Sequence, residues 1–180
     1  MKTIEVEIRS FIPENQWDDL LDFFHTHATL IKEDFQETYY FDCAEDLRIQ
    51  KNEYYAKIWL KKGKLHDEAR EEIEIHFDKN DFNKLETIFS LAGLPVKIKW
   101  FRKRYEFQWG DITVCIDDTK GYGRIIELEK MANEEEKESV ITELKEAFNT
   151  LHLKQTPLDE FKKRFAYYEK HWRELVAIEN

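Results

Sequence analysis

Pairs of glutamates separated by one residue occur in three segments of the chain where apolar and charged residues alternate. The pairs are Glu5 with Glu7, Glu72 with Glu74, and Glu127 with Glu129. Residues two apart on a β-strand point to the same face, so each pair would present two carboxylates side by side. Such carboxylates can bind a divalent cation, and Mg²⁺ in particular prefers a few carboxylates together with water and phosphate oxygens.

Basic residues recur in three other predicted strands, and Arg9 lies in the first segment with Glu5 and Glu7. The basic residues are Arg9, Arg48, Lys57, Lys61, Arg102 and Arg104. The guanidinium fork of arginine matches the geometry of a phosphate group, and lysine supplies a point charge. On one enclosed surface, these carboxylates and cations would bind a metal and a phosphorylated ligand together. On a sheet face open to water, the same residues would be ordinary surface charges, and periodicity alone leaves both alternatives open.

About eight strands are predicted to position these residues. They cover residues 4–9, 29–42, 46–50, 55–62, 70–77, 96–109, 112–117 and 124–130. The third and fourth form a hairpin, and the sixth and seventh form another across Gly110 and Asp111.

Four helices are predicted among these hairpins. They follow Pro13, lie within 80–93, follow Asn133 and follow Thr156. Gly93 is placed to end the second helix, and Asn133 with Glu136 forms a capping box before the third. The arrangement indicates an α+β fold around one large antiparallel sheet. If that sheet closes into a barrel, its apolar faces lie under the helices and its charged faces line the interior.

Length and composition limit the functional class. A chain of 180 residues suits one domain, 1–180, with a helical C-terminal segment from about residue 133. Acidic residues outnumber basic ones by 38 to 28, a net charge of −10 that argues against a nucleic-acid partner. Cys43 and Cys115 lie far apart without zinc-ligand spacing, as in proteins of a reducing compartment. No apolar run approaches membrane-spanning length, so we expect a cytoplasmic protein without a membrane partner.

The segment IEVEIR at residues 4–9 resembles the N-terminal ExExK signature of the CYTH superfamily, the triphosphate tunnel metalloenzymes. Six further segments resemble motifs of that family in the same order. They are QETYYFD (36–42), LRI (47–49), LKKG (60–63), REEIE (70–74), RKR (102–104) and IDDTKGYGRIIELE (116–129). The first signature alone is weakly specific, whereas the ordered series is strongly so.

This resemblance implies a closed or nearly closed antiparallel eight-stranded β-barrel, a triphosphate tunnel, with flanking α-helices. It implies an enzyme dependent on Mg²⁺ or Mn²⁺ that acts on a small-molecule triphosphate, as a monomer or homodimer. Class IV adenylyl cyclases of the family convert ATP to cyclic AMP and pyrophosphate, and the triphosphatases release phosphate. A triphosphate- or nucleotide-binding module without turnover is the alternative.

The resemblance also implies roles for individual residues. The metal ligands would be Glu5, Glu7, Glu74, Glu127 and Glu129. The triphosphate would be bound by Arg9, Arg48, Lys61, Arg102 and Arg104. The catalytic residues would be Arg9, Lys61 and Glu72. Asp117 matches the aspartate before the glycine turn of the family.

Two positions depart from the family pattern. The first strand carries Arg9 where the family has lysine, and Gln50 replaces the second arginine of the LRIR motif. Arginine keeps the charge but is bulkier and does not transfer protons readily. Gln50 would remove one phosphate contact, so we expect a changed substrate, a weaker enzyme or a binding module.

Overall fold

The computed structural model describes residues 4–61 and 72–177, with Lys61 and Glu72 described as backbone only. The strands are β1 Ile4–Phe11, β2 Thr29–Phe41, β3 Asp46–Lys51, β4 Ala56–Lys61, β5 Glu72–Phe77, β6 Val96–Trp109, β7 Ile112–Thr119 and β8 Gly123–Ala132. The helices are α1 Trp17–His27, α2 Phe82–Leu91, α3 Lys137–Thr150 and α4 Leu158–Ala177. Single 3₁₀ turns, Glu14–Gln16 and Lys79–Asp81, precede α1 and α2.

The eight strands form one antiparallel sheet in the order β1-β8-β7-β6-β2-β3-β4-β5. The predicted α+β class, with eight strands and four helices, is therefore confirmed. Among the described residues no hydrogen-bonded pairing joins the terminal strands β1 and β5. Closure of the sheet into a barrel is accordingly not confirmed.

One compact unit comprises Met1–Glu33 and Lys103–Tyr168. Its core covers one face of β1, β7 and β8, where Val6, Ile8, Val114 and Leu128 pack with residues of α1 and α3. Burying each such side chain contributes about 1.5–3 kcal/mol relative to leaving it in water. Because strand residues alternate, this apolar face directs Glu5 and the neighbouring charged residues to the opposite face.

The second compact unit comprises Asp34–Arg102 and Glu169–Asn180. Its core joins Tyr39, Phe41, Ile49 and Ala56 of the sheet to Phe82 of α2. The polar residues of β3 and β4 occupy the other face of these strands. Burial of one face of each strand therefore separates the apolar and charged residues in this unit as well.

Two predicted helix ends, at Asn133 and Gly93, are confirmed. Asn133 Oδ1 accepts hydrogen bonds from the backbone N–H groups of Glu135 and Glu136, both at 3.0 Å, and Glu136 Oε2 accepts from Asn133 N at 3.1 Å. Gly93 has φ +85°, and Leu94 N donates to Phe89 O at 2.9 Å, which closes α2. The spacing of Phe82, Leu85, Ile88 and Phe89 predicts one apolar face for α2, but Ile88 is 58% exposed. No helix in the described ranges combines the length and apolar character needed to cross a membrane.

Candidate functional site

Three carboxylates of the first unit converge on the polar face of β1 and β8. Glu7 lies directly opposite Glu129 in the antiparallel register, and Glu5 is two residues away on the same face of β1. Carboxylate oxygens of Glu5, Glu7 and Glu129 all lie within 4.8 Å of one another. The structure thus brings together three of the five predicted metal ligands as one group of oxygen donors.

The carboxyl group of Glu129 lies in a locally negative environment. Burial raises the pKa of Glu129 to about 8, and the negative charges of Glu127, Glu5 and Glu7 add to that effect. Arg104 opposes the shift but does not cancel it. A divalent cation would favour the ionised carboxylates, and an all-oxygen donor set is the kind that Mg²⁺ and Mn²⁺ prefer. The residues therefore fit the predicted metal.

Cys115 belongs to a second potential ligand group with Glu127 and Glu129. The thiol is 3% exposed, and burial raises its pKa well above the ordinary value; the nearby carboxylates also raise the pKa, whereas Arg104 lowers it. A thiol must lose its proton to act as a strong metal ligand. At neutral pH the carboxylate group is consequently the better cation site.

The carboxylate of Glu127 is held by a hydrogen bond from Arg104. Arg104 Nε and Nη2 each donate to a carboxylate oxygen of Asp117 at 2.7 Å, and Nη2 also donates to Glu127 Oε2 at 3.0 Å. Burial alone lowers the pKa of Arg104, but Asp117 and Glu127 raise it well above its usual value. Asp117, which is 3% exposed, therefore orients the Arg104 guanidinium, and Arg104 in turn orients Glu127, a predicted metal ligand.

Arg9 lies across the strands from Glu127. Its Nη1 is 4.0 Å from Glu127 Oε1, and its guanidinium lies 4.7 Å from the centre of the Phe161 ring. A flat guanidinium stacks on an aromatic face better than a compact ammonium does. The ring of Phe161 thus gives a physical reason for arginine at this position.

The predicted phosphate ligand Arg48 lies in the second unit, where Asp46 and two aromatic rings hold it. Arg48 Nε and Nη2 donate to the two carboxylate oxygens of Asp46 at 2.6 and 2.7 Å. The guanidinium lies 4.2 Å from the ring centre of Tyr40 and 5.6 Å from that of Trp59. Its position is therefore set by the chain before any ligand binds.

Glu74, the fifth predicted metal ligand, forms ion pairs in the second unit. Glu74 Oε2 accepts from Lys57 Nζ at 2.7 Å, and Oε1 lies 2.5 Å from His76 Nε2. Burial raises the pKa of Glu74, but the bonds to Lys57 and His76 outweigh it and lower the pKa overall. Neither potential metal group among the described residues includes Glu74.

A buried polar network surrounds Arg102 in the second unit. Arg102 Nε donates to Gln36 Oε1 at 2.8 Å, and the same oxygen accepts from Gln50 Nε2 at 3.3 Å. Gln50 Nε2 also donates to Thr38 Oγ1 at 2.9 Å, and Gln36 Nε2 donates to Asp34 Oδ2 at 3.2 Å. Gln50 therefore has a structural role that its comparison with an arginine did not indicate.

Lys61 and Glu72 lie opposite each other in the register of β4 and β5. Their side chains lie outside the described residues, so their predicted catalytic roles stay predictions. Four residues beside predicted site residues escaped the site prediction: Cys115 and Phe161 in the first unit, and Gln36 and Trp59 in the second. Only the alternation of their strands could have placed Gln36, Trp59 and Cys115 there, and Phe161 reaches Arg9 from α4.

Comparison with known proteins gives a consistent family. The family model described as the CYTH domain matches residues 3–161. A protein of Methanocaldococcus jannaschii, provisionally named an adenylate cyclase, is 32% identical over 136 residues, covering 68% of this chain and 75% of that protein.

Solved structures share the fold at lower identity. A conserved hypothetical protein from Pyrococcus furiosus has a TM-score of 0.67 at 22% identity, covering 83% of this chain and 91% of that one. A Hippeastrum protein, provisionally named an adenylyl cyclase and described as having a dominant triphosphatase activity, has a TM-score of 0.68 at 17% identity, covering 92% and 96% of the two chains.

Proposed function

The chain belongs to the CYTH domain family, and on this premise we propose that it is a metal-dependent enzyme acting on a triphosphate compound. The observation that carries the proposal is the convergence of Glu5, Glu7 and Glu129 within 4.8 Å. The guanidinium groups of Arg9 and Arg104 lie at the same polar face, beside Glu127. Carboxylates that can bind a metal ion thus lie beside guanidinium groups that can bind phosphate oxygens. This arrangement suits a phosphorylated ligand that carries a metal ion.

Glu5, Glu7 and Glu129 hold Mg²⁺ or Mn²⁺ in this proposal, with Glu127 as a further ligand. A bound cation of this kind neutralises phosphate charge and lowers the pKa of an attacking water or hydroxyl. Arg9 and Arg104 stabilise negative charge on the transferred group, which supplies much of the catalysis in phosphoryl transfer. Asp117 keeps the Arg104 fork in one orientation, so little reorganisation is needed during the reaction.

The remaining predicted residues extend the proposal to the second unit. Arg48, Lys61 and Arg102 bind phosphate oxygens, and Glu72 orients the nucleophile. Glu74 keeps Lys57 in place and is a weaker candidate for the metal. A single domain, 1–180, whose sheet closes into the family's barrel would supply the enclosed polar surface these roles need. A crystal structure with a non-hydrolysable triphosphate and Mg²⁺ would test that closure.

Two reactions use the same residues. Water as the nucleophile gives hydrolysis, the activity in the description of the Hippeastrum protein. A ribose 3′-hydroxyl attacking the α-phosphate gives cyclic AMP and pyrophosphate, the reaction implied by the name of the archaeal relative. Hydrolysis is our first candidate because it requires no positioning of a ribose, and cyclisation is the second.

The deciding experiment is incubation of the purified protein with ATP, thiamine triphosphate or inorganic tripolyphosphate, with Mg²⁺, with Mn²⁺ or with chelator. Phosphate, pyrophosphate and cyclic AMP are measured separately. We expect metal-dependent release of phosphate or pyrophosphate, lost when Glu5 and Glu7 are both changed to Gln. Glu146→Gln on the exposed face of α3 is the matched control. Tight triphosphate binding without product under any condition would identify a binding module instead.

A further inference from the structure

Trp59 carries a buried hydrogen-bond donor that has no partner in the part of the chain that the structure describes. The residue is 6% exposed, and its Nε1 has no hydrogen-bond partner among the described residues. An indole N–H is a donor only, and buried donors in folded proteins are nearly always paired. Leaving one unpaired costs about 1–3 kcal/mol. The described residues thus leave the indole N–H of Trp59 available to an acceptor on a bound ligand.

The surroundings of the indole indicate the chemistry of that acceptor. Lys57 Nζ lies 4.7 Å from the centre of the Trp59 ring, and the Arg48 guanidinium lies 5.6 Å from it. Both cations are held by carboxylates, Lys57 by Glu74 at 2.7 Å and Arg48 by Asp46 at 2.6 Å. An acceptor that reaches the N–H therefore lies close to two positive charges, that of Lys57 being on a movable side chain, and these charges favour a negatively charged oxygen over a neutral ring nitrogen.

Access to the N–H depends on a side chain that can move. Lys57 lies over the indole on a flexible four-carbon stem. Rotation of the Lys57 ammonium towards an arriving anion would uncover the ring, and the ammonium would still attract that anion. Burial of Trp59 in the free protein is therefore compatible with contact to a ligand.

We propose that Trp59 Nε1 donates a hydrogen bond to a phosphoryl oxygen of the bound triphosphate, between Arg48 and Lys57. The inference rests on the proposed function for its ligand, but it concerns a residue that the predicted site did not include. A neutral donor adds direction to a phosphate subsite without a further charge to desolvate. Trp59 is on this basis a binding residue for the phosphate chain.

The direct test is the indole ¹H–¹⁵N resonance of Trp59 in the wild-type protein, assigned through the backbone, during titration with inorganic tripolyphosphate. We expect the resonance to move downfield as the bond forms. The indole of Trp172 is the internal control, because its Nε1 already donates to Lys97 O at 2.9 Å and should stay in place. Adenosine alone should leave Trp59 unmoved.

Substitution gives an independent measurement. Trp59→Phe keeps an aromatic ring for the cations and removes only the donor, so tripolyphosphate should bind about tenfold or more weakly. Trp172→Phe, which loses a comparable indole N–H, should leave that affinity unchanged. Equal affinities in wild type and folded Trp59→Phe would overturn the proposal.

The outcomes separate this inference from the proposed function. Calorimetric binding of tripolyphosphate with an unmoved Trp59 resonance would overturn the inference, whatever the turnover, and leave water as the partner of the N–H. A shift with adenosine but not with tripolyphosphate would overturn it in favour of a base contact. A shift with tripolyphosphate and no turnover would support the inference and refute the enzyme. No binding of any triphosphate would refute both.

Discussion

At the scale of single residues, Glu129 shows how burial changes a common carboxylate. It lies among Glu127, Glu5 and Glu7, and burial with these like charges raises its pKa to about 8. The unfolded chain has the ordinary value of 4.5. Between these two values the folded, metal-free protein binds more protons than the unfolded chain does. Its free energy of unfolding must consequently fall as pH rises through this window.

We predict that metal-free protein loses stability from about pH 4.5 to about pH 8 and that Glu129→Gln removes part of this slope. Each unit of pKa difference corresponds to about 1.4 kcal/mol. The measurement is chemical denaturation with chelator at several pH values, with Glu146→Gln as the control. Identical slopes in wild type and Glu129→Gln would show that the carboxyl titrates normally.

Arg9 is the residue at which the first strand leaves the family pattern. Its guanidinium lies over Phe161 and 4.0 Å from Glu127. We predict that Arg9→Ala costs on the order of 2–4 kcal/mol in transition-state stabilisation, the scale for one preorganised charge-stabilising donor. Arg9→Lys keeps the charge and should alter turnover with only a modest loss of binding.

Steady-state kinetics and calorimetry on both variants test this prediction. Arg164→Ala is the matched control, because Arg164 also lies over an aromatic ring, that of Phe11 at 4.0 Å, outside the proposed machinery. Turnover that persists undiminished in Arg9→Ala would remove Arg9 from the active site. In a binding module, both changes would affect triphosphate affinity alone, in proportion to the charge lost.

At the scale of secondary-structure elements, buried polar side chains join strands β2 and β3 by hydrogen bonds. Gln36, Thr38 and Gln50 are 7%, 3% and 7% exposed. Thr38 is directly opposite Gln50 in the register, and the Gln50 amide on β3 donates to two residues of β2, Thr38 and Gln36. The same network holds Arg102 through Gln36. Pairing of the strands and orientation of a predicted phosphate ligand are thus coupled.

We predict that Gln50→Leu destabilises the protein by about 1–3 kcal/mol, because Gln36 and Thr38 lose a buried donor. The KM for the triphosphate should rise as Arg102 loses its fixed orientation, while kcat changes less. Thermal denaturation and kinetics measure the two effects. Gln108→Leu, which loses bonds to carbonyls of its own hairpin, is the control and should spare KM. A stable variant with unchanged KM would refute the coupling.

At the scale of the whole molecule, the chain carries a net charge of −10, and the triphosphate that we propose as its ligand is itself an anion. Each compact unit contains its own apolar core beneath one strand face and its own charged groups on the other. The carboxylates of Glu5, Glu7 and Glu129 in the first unit concentrate negative charge that a divalent cation would compensate. We therefore expect metal binding to be linked to global stability.

We predict that Mg²⁺ or Mn²⁺ without substrate raises the melting temperature, since a ligand at 100 times its Kd stabilises by about 2.7 kcal/mol. Changing Glu5 and Glu7 to Gln should abolish this rise. The same variant should melt higher than wild type in chelator, because like-charge repulsion is relieved. An equal metal-induced rise in the double variant would contradict the proposed site.

The sequence by itself determined the local features. Alternation in residues 4–9 predicted which side chains of β1 share a face, and capping residues such as Asn133 predicted where helices begin. Both depend on neighbours a few residues apart, whose geometry the backbone sets directly. The ordered motifs predicted the family from which the metal and phosphate roles were proposed.

Only the tertiary structure decided which distant residues meet and how deeply they are buried. Three such contacts join residues from different strands. Glu7 lies opposite Glu129 in the register, Arg104 donates to Asp117, and the buried Gln50 donates to Thr38. A shift of one residue in any pairing would reverse the faces without changing the sequence pattern. Ionisation and orientation follow from burial and pairing, so the chemistry of these side chains was set by packing.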